Sequence, residues 1–422
     1  FTLTVVVIGN GSVSGSPAPN GGGGIAGCAS GGGVCSALYD LETSVTLTAT
    51  TGAVFAWGGD CAADGTVAMD ADKTCKAIFR PALWTVLSNG ESALGAIDCT
   101  VDANSDKGSC ATLRGAIDFA ISGDTIQFDH ALDGTTIALT NYTDCLTAGD
   151  TLAGPNAWGD PCLPLSTWPG YVTQFGPSAF FIGGRTLTID ATANGLTRGV
   201  VIARDTVAAD YGATGVANFR LFDVDSGSSL TLRGLTLAGG WAQGGASSHG
   251  GGALGAGGAI FNRGTLSLAR CTLAGNTAQG GGYFGDNNVT GGGGVGQSAV
   301  DSHGGGPNGA SAVDLGFFGG GGGGNDGSVF PYANGGIGGF GGGGGVGRSD
   351  PGGLGGDGGF GGGGGGGGAN TSGNTNAAGG IGGLGGGSGG SGGSGFGSNP
   401  GAGGGGAGMG GAIVSDAGTV IL

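Results

Sequence analysis

The chain has 422 residues, of which 114 are glycine, 9 are cysteine and only 10% are charged, and its formal net charge is −16. Thirteen lysines and arginines are too few to neutralise a phosphate backbone, so no nucleic-acid partner is expected. No apolar run approaches the roughly 20 residues of a membrane helix, so no membrane span is expected in this segment. The acidic, weakly charged composition fits a secreted protein.

Residues 1–80 are predicted to form a small all-β module. Five short segments are β-branched or alternate between apolar and polar residues, and Gly, Asn or Asp separates them. They read FTLTVVVI, SVTLTAT, AVFAW, TVAMD and CKAIF.

This module resembles the divergent InlB-type B-repeat of bacterial surface proteins. The resemblance rests on "W-x-G-x-C"-like and "MDADK" elements within SVTLTATTGAVFAWGGDC…GTVAMDADKTCKAIF, and it covers roughly residues 1–80. It implies a β-grasp-like or sandwich-like spacer without catalysis.

One amphipathic helix is predicted at about 110–121, in CATLRGAIDFAISGDTIQFD, with an apolar face and a glycine stop at Gly123. The segment resembles the "CSLREAI…GDTI-F" element that opens many bacterial right-handed parallel β-helices, from which it departs at two positions. The resemblance implies a helical cap on the first turn of a solenoid, over an otherwise unpaired strand edge.

An internal repeat gives the strongest indication of fold. Residues 229–245 and 265–281 align without a gap at an offset of 36, as expected for stacked turns whose inward residues form ladders. The predicted ladder consists of Leu230, Leu232, Leu235, Leu237, Leu266, Leu268, Cys271 and Leu273.

The next turn is deferred, because GGAIFNRGTLSL (257–268) returns as GGAIVSDAGTVIL (410–422) with one extra residue. The fold expected is therefore all-β: a β module at 1–80, a right-handed parallel β-helix at 81–281, a Gly-rich insertion at 282–409, and a return to the β-helix at 410–422.

The insertion places large side chains at a period of three among glycines. A disordered linker has no reason for this spacing, and collagen needs one Gly per triplet with Pro elsewhere. Extended threefold strands bundled through lateral hydrogen bonds, the polyglycine II arrangement, explain it; they resemble the bundles of the snow-flea antifreeze protein and some phage tip adhesins. The predicted apolar edge, forming a small seam, consists of Ile337, Phe340, Val346, Leu354 and Phe360.

Eight cysteines fall into close sequential pairs, for which disulfides are preferred over metal binding because no C-x-x-C pair or Cys/His cluster is present. Cys271 is left over, as a buried small hydrophobe. The expected pairs are Cys28 with Cys35, Cys61 with Cys75, Cys99 with Cys110, and Cys145 with Cys162.

No catalytic residue, metal site or cofactor is predicted. The first hypothesis is an extracellular structural or adhesive bacterial surface protein, with head-to-tail copies or a surface carbohydrate as partner, and as an extension a filament subunit. The open strand edge at residue 422 motivates the self-association. The alternative is a polysaccharide lyase or hydrolase, and an ice-binding role is third. The acid and base residues considered for catalysis are Asp190, Arg204, Asp205, Asp223 and Asp225.

Overall fold

The fold is described from a computed structural model, and it is almost entirely β, which confirms the all-β prediction. The structure describes residues 1–9, 11–19, 23–30, 32–51, 54–79, 82–92, 98–101, 107–140, 176, 178–205, 218–282, 291–295, 298–299, 304, 320–321, 334–349, 352–370, 376–392 and 399–422. Among these residues, no helix is long and apolar enough to cross a bilayer.

Two compact units divide the chain: residues 1–133 with 187–197, and residues 134–186 with 198–422. The first part of the chain contains β1 (Thr2–Ile8), β2 (Ser12–Ser16), β3 (Ala26–Ala29), β4 (Gly32–Val34), β5 (Ser36–Leu38), β6 (Ser44–Thr51), β7 (Val54–Gly59), β8 (Thr66–Ala68), β9 (Lys73–Phe79), β10 (Leu83–Val86), β11 (Cys99–Val101), β12 (Gly108–Cys110), α1 (Leu113–Phe119), β13 (Thr125–Phe128) and the 3-10 turn His130–Leu132. The remainder contains β14 (Thr136–Leu139), β15 (Ser178–Ile182), β16 (Thr186–Asp190), β17 (Val200–Arg204), β18 (Arg220–Val224), β19 (Ser229–Arg233), β20 (Leu235–Ala238), β21 (Trp241–Gln243), β22 (Gly255–Ala256), β23 (Ile260–Asn262), β24 (Thr265–Ala269), β25 (Thr272–Ala274), β26 (Thr277–Gln279), β27 (Gly408–Met409), β28 (Ile413–Ser415) and β29 (Thr419–Ile421).

In the first unit, strands β1–β9 form two sheets, in the orders β5-β1-β9-β7 and β4-β3-β2-β6-β8. Their alternating apolar residues form one buried core, which includes Leu3, Val13, Val45, Met69 and Phe79. Strands β1 and β9 pair in parallel, whereas the other pairings in these two sheets are antiparallel.

Three of the four expected disulfides are present: Cys28–Cys35, Cys61–Cys75 and Cys99–Cys110. Disulfides persist in oxidising compartments, so the protein belongs outside the reducing cytoplasm. The fourth expected pair, Cys145 with Cys162, lies outside the described residues.

The one α-helix among the described residues, α1, is shorter than the predicted 110–121. Thr112 caps its start by accepting a hydrogen bond from the Gly115 N–H, and the helix ends at Phe119. Gly123, expected as the stop, instead has a φ of 95° in the following turn, where the Asp124 N–H donates to the Ile121 carbonyl at 3.1 Å.

Two contacts of this helix involve Gly115 and Arg114. A side chain at Gly115 would overlap the carboxylate of Asp98, which accepts a hydrogen bond from Thr112 at 2.7 Å. Arg114 is buried and pairs with Glu91 at 2.5 Å. A side chain at position 115 would therefore have to displace the Asp98 carboxylate.

In the second unit, the strands form parallel sheets that the chain visits in rotation. Two four-stranded sheets have the orders β14-β17-β20-β25 and β15-β18-β23-β28, and β19, β24 and β29 pair in succession. Two shorter parallel pairs, β21 with β26 and β22 with β27, lie on the same path.

The register of these sheets matches the 36-residue offset of the sequence repeat. Leu230 faces Leu266 and Leu232 faces Leu268 in one sheet, and Leu237 faces Leu273 in the next. Leu230, Leu232, Leu235, Leu237, Leu266 and Leu268 are buried, whereas Cys271 and Leu273 in the last repeat are half-buried.

The following register step is far longer. Ile260 of β23 faces Ile413 of β28, an offset of 153 residues, and Thr265 of β24 faces Thr419 of β29, an offset of 154 residues. The extra residue is Ala417, which has a φ of 56° in the turn between β28 and β29. The glycine-rich segment therefore leaves and rejoins the sheets between two adjacent strands.

Candidate functional site

The glycine-rich segment forms three consecutive hairpins, over residues 334–347, 353–368 and 376–392. Each turns in the same way, with an N–H to C=O bond at 2.8–2.9 Å between residues three apart: Gly342 to Gly339, Gly362 to Gly359, and Gly386 to Gly383. The third residue of each turn has a positive φ of 74–85°, as a type II turn requires. A large apolar residue precedes it each time, namely Phe340, Phe360 or Leu384.

Neighbouring hairpins are joined by lateral backbone hydrogen bonds in several directions. Gly355 donates to Ala378 on one side at 2.9 Å, while Gly356 donates to Gly345 on another side at 2.8 Å. Along the first two hairpins, every third residue of the outer segments donates across, for instance Gly338 to the Asp357 carbonyl at 2.9 Å. These bonds satisfy backbone groups that burial would otherwise leave unpaired.

Glycine is required where the segments pack. A Cβ at Gly356, Gly365 or Gly344 would come closer than 3.0 Å to a neighbouring carbonyl oxygen. Real Cβ atoms almost never approach so closely, so any other residue would force the strands apart. The close packing of this bundle therefore depends on the composition that makes the sequence look like a linker.

The bundle is fixed to the parallel sheets of its own unit. The Leu254 N–H donates to the Gly341 carbonyl at 2.7 Å, and the Ala407 N–H donates to Gly361 at 2.7 Å. Leu254 and Val295 are buried in a small cluster with Phe261, next to the positive-φ glycines of the first two turns.

The side of the bundle away from this cluster carries an ordered array of side chains, which we call the outer face. It consists of three rows, one from each hairpin: Asn334, Ile337 and Phe340; Leu354, Asp357 and Phe360; and Ala378, Ile381 and Leu384. The rows are held in register because Leu354 N–H donates to Asn334 Oδ1 at 2.9 Å and Ile381 N–H donates to Asp357 Oδ1 at 2.7 Å.

Four of the five residues predicted for the apolar edge lie on the outer face, where they are exposed or half-buried. Ile337 is 49% exposed, Phe340 39% and Leu354 50%, whereas Phe360 is half-buried. Val346 differs, because it lies on the inner segment of its hairpin and is 1% exposed. Glycine backbone packs against the inner sides of the outer segments, so the large side chains of those segments face outwards.

Sequence reasoning missed the third row, in which Ile381 is 68% exposed and Leu384 76%. The sequence does contain a signal for it, since the pattern G-G-x-G-G-[F/L]-G-G occurs three times. Its sixth residue is Phe340, Phe360 or Leu384. Asp357, which the period of three places in line with Leu354 and Phe360, occupies the middle of the middle row.

Of the residues considered for acid–base chemistry, three hold local structure. Asp190 Oδ1 accepts hydrogen bonds from the backbone and hydroxyl of Thr192 at 2.7 and 2.6 Å. Arg204 is buried, donates from Nε to the Gly239 carbonyl at 2.8 Å, and lies over the ring of Trp241. Asp205 follows β17 and donates its N–H to Leu139 at 2.8 Å.

The other two carboxylates lie at the end of β18. Asp225 pairs with Arg263 at 2.6 Å, and Asp223 is 1% exposed. Burial raises the pKa of Asp223 to about 6, against the opposing effect of Arg220 and Arg263. Burial likewise lowers the pKa of Arg220 to about 10. Neither of these buried groups is positioned to meet a polymer from solution.

Within the described ranges, the one cluster with metal-ligand composition is Asp98 with Cys99 and Cys110. Those two cysteines are joined in a disulfide and so offer no thiolate. The outer face is therefore the feature of the described residues that calls for a functional explanation.

Comparison with protein-family models, with characterised proteins and with solved structures gives no match. The B-repeat-like module and the β-helix opening element accordingly stay predictions that rest on the quoted residues alone.

Proposed function

We propose that this protein is an extracellular structural or adhesive protein of a bacterial surface, in which a right-handed parallel β-helix carries a polyglycine II bundle. The single observation that carries the proposal is the outer face: an ordered array of exposed apolar side chains on a scaffold built of glycine. Exposed apolar patches of this kind mark interaction sites in soluble proteins.

The β-helix part of the proposal is supported by the rotation of the chain through parallel sheets and by the constant 36-residue offset between facing leucines. Stacked repeats of this kind bury a continuous ladder of side chains and form an elongated, rigid support. Such a support suits a role in presenting another element at a distance.

The polyglycine II part is supported by hydrogen bonds that leave successive residues in different lateral directions. An extended threefold strand with about 3.1 Å rise per residue places every third side chain on one side. Ordering a glycine costs about 1–2 kcal/mol in backbone entropy, so the bundle needs its many lateral bonds to persist. That cost argues for a selected function of the bundle rather than for a spacer.

Adhesion of cells that display the chain tests the proposal. Non-adherent bacteria that display residues 1–422 are expected to bind host or mineral surfaces, and the Ile381→Ser, Leu384→Ser double variant should bind less. Both substitutions are at positions more than two-thirds exposed, so folding should be retained. Equal adhesion of the two displayed chains would contradict a role for the outer face.

The enzyme alternative is distinguished by an assay of product formation. A panel of acidic and neutral polysaccharides, incubated with the protein, would give new reducing ends or unsaturated products if the chain were a hydrolase or lyase. We expect neither, because Arg204 and Asp223 are buried and the carboxylate of Asp190 caps its own turn. Product formation that is lost in Asp223→Asn would reverse this preference.

Assembly into a filament stays a prediction. Light scattering of the purified chain at rising concentration measures it directly, since head-to-tail contacts that do not close produce ever larger species. A monomer at all concentrations would exclude assembly by this segment alone.

A further inference from the structure

The outer face has a single charged residue, at its centre. Asp357 stands between Ile337 and Ile381 across the strands and between Leu354 and Phe360 along its own strand. One carboxylate oxygen accepts the Ile381 N–H, which fixes the side chain in place. The five most exposed apolar side chains of the array, 39–76% exposed, together present roughly 500–600 Å². This area lies at the lower end for one side of a protein interface, in the range of transient complexes.

We infer that the outer face is a docking surface for a polypeptide partner that places one basic side chain on Asp357 and covers the surrounding ring with apolar groups. The inference rests on the proposed adhesive function and names the partner chemistry of that same face. Apolar contacts that surround and dry a central polar pair are the usual arrangement of an energetic hot spot. A carboxylate in such a ring gains more from a cation than an exposed carboxylate does.

A second copy of the chain is a poorer occupant. Full overlap of two identical faces about a two-fold axis through the centre sets Asp357 against Asp357, and each chain already carries a net charge of −16. A glycan is also less favoured, because Phe340 and Phe360 stack on each other, with centroids 5.1 Å apart and planes at 11°, and so cover one of the two faces of each ring.

The length of the outer face determines the length of the peptide used as a probe. Three positions at a three-residue spacing span ~19 Å at about 3.1 Å per residue, which equals a helix of about 13 residues. The probe is a fluorescein-labelled amphipathic leucine–serine helix of that length, with one lysine in the middle of its leucine side. The comparison peptide has norleucine in place of the lysine.

Fluorescence anisotropy with the full chain, in about 0.15 M salt to screen distant charges, measures both affinities. The lysine peptide should bind about tenfold more tightly than the norleucine peptide, the usual effect of a charge-assisted hydrogen bond. Asp357→Asn, which keeps an acceptor for Ile381, should abolish that difference. Leu384→Asp should weaken both peptides.

Asp416→Asn is the matched control, because it removes the same charge from the turn before β29. It should leave the affinities of both peptides unchanged. Equal binding of the two peptides, or an equal loss in Asp357→Asn and Asp416→Asn, would overturn the inference. Sedimentation of the chain without peptide gives a further refuting result, namely a dimer that Leu384→Asp dissociates. If no peptide binds while displaying cells still adhere, the inference fails and the proposed function stands.

Discussion

Replacing glycine by alanine should have opposite effects on the stability of the bundle at two positions, Gly365 and Gly405. Gly365 is buried, its N–H donates to Gly356 at 2.8 Å, and its carbonyl accepts from Gly380 at 2.7 Å. A Cβ there would overlap the carbonyl of Gly345, whereas a Cβ at exposed Gly405 would have its nearest neighbour 3.8 Å away. Both residues lie outside the positive-φ positions, so backbone strain does not separate them.

The expected size follows from the bonds that must break. Making room beside Gly365 moves the segment that contains Gly345, whose N–H donates to Gly336 at 2.8 Å and whose carbonyl accepts from Gly356 at 2.8 Å. Each lost bond costs about 0.5–1.5 kcal/mol, and a buried group left unpaired costs about 1–3 kcal/mol. Gly365→Ala should therefore destabilise the bundle by roughly 3–5 kcal/mol, whereas Gly405→Ala should stabilise it by about 0.4–1 kcal/mol through the unfolded chain.

Hydrogen exchange followed by mass spectrometry over residues 334–392 measures the two changes in the intact protein. Gly365→Ala should raise the exchange rates of the three hairpins, and Gly405→Ala should leave them unchanged or lower. If both variants exchange alike, or if the wild-type hairpins exchange as fast as an unfolded peptide, the packing explanation is refuted.

Three further predictions concern the rest of the chain. Reduction should make eight cysteines alkylatable that are protected in the native protein, by intact mass; native free thiols at Cys28 would contradict the pairing. Gly115→Ala should lower the melting temperature of the first unit by several degrees, because a methyl group would displace the carboxylate of Asp98; an unchanged melting curve would show that this contact relaxes freely. Because burial raises the pKa of Asp223 from 3.8 to about 6, its contribution favours folding below pH 4 and is lost as pH rises towards 6; Asp223→Asn should flatten that dependence in urea titrations, and an identical pH profile would refute the assignment.

The parallel sheets could be predicted because the sequence pattern that specifies them repeats at a fixed spacing. Identical spacing of leucines fixes which strands face each other, and the register of Leu230 with Leu266 follows from the 36-residue offset. The return of the chain at Ile413 was visible in the same way, from a repeated GGAI. All five strand segments predicted in the first module overlap with observed strands, namely β1, β6, β7, β8 and β9.

What the sequence could not indicate depends on contacts between distant residues. The strands β2 to β5 are short and rich in Gly and Ser, so no alternation distinguishes them. The buried pair of Arg114 and Glu91 has a separation that no local pattern reveals. The outward direction of Ile337 depends on which side of its strand faces other glycines, and a period of three does not specify this.

The long register step has a consequence for how new sequence can be accommodated. The closure cost of a loop scales as about (3/2)RT ln n, so lengthening the connection from 36 to 153 residues adds only ~1.3 kcal/mol to that cost, apart from the cost of ordering the insertion itself. The neighbouring strands β23 and β28 meet as ordinary sheet partners despite the inserted length. Parallel sheets of this kind can thus accept a different inserted segment at a single junction, while the repeated leucines continue to fix the register of the strands.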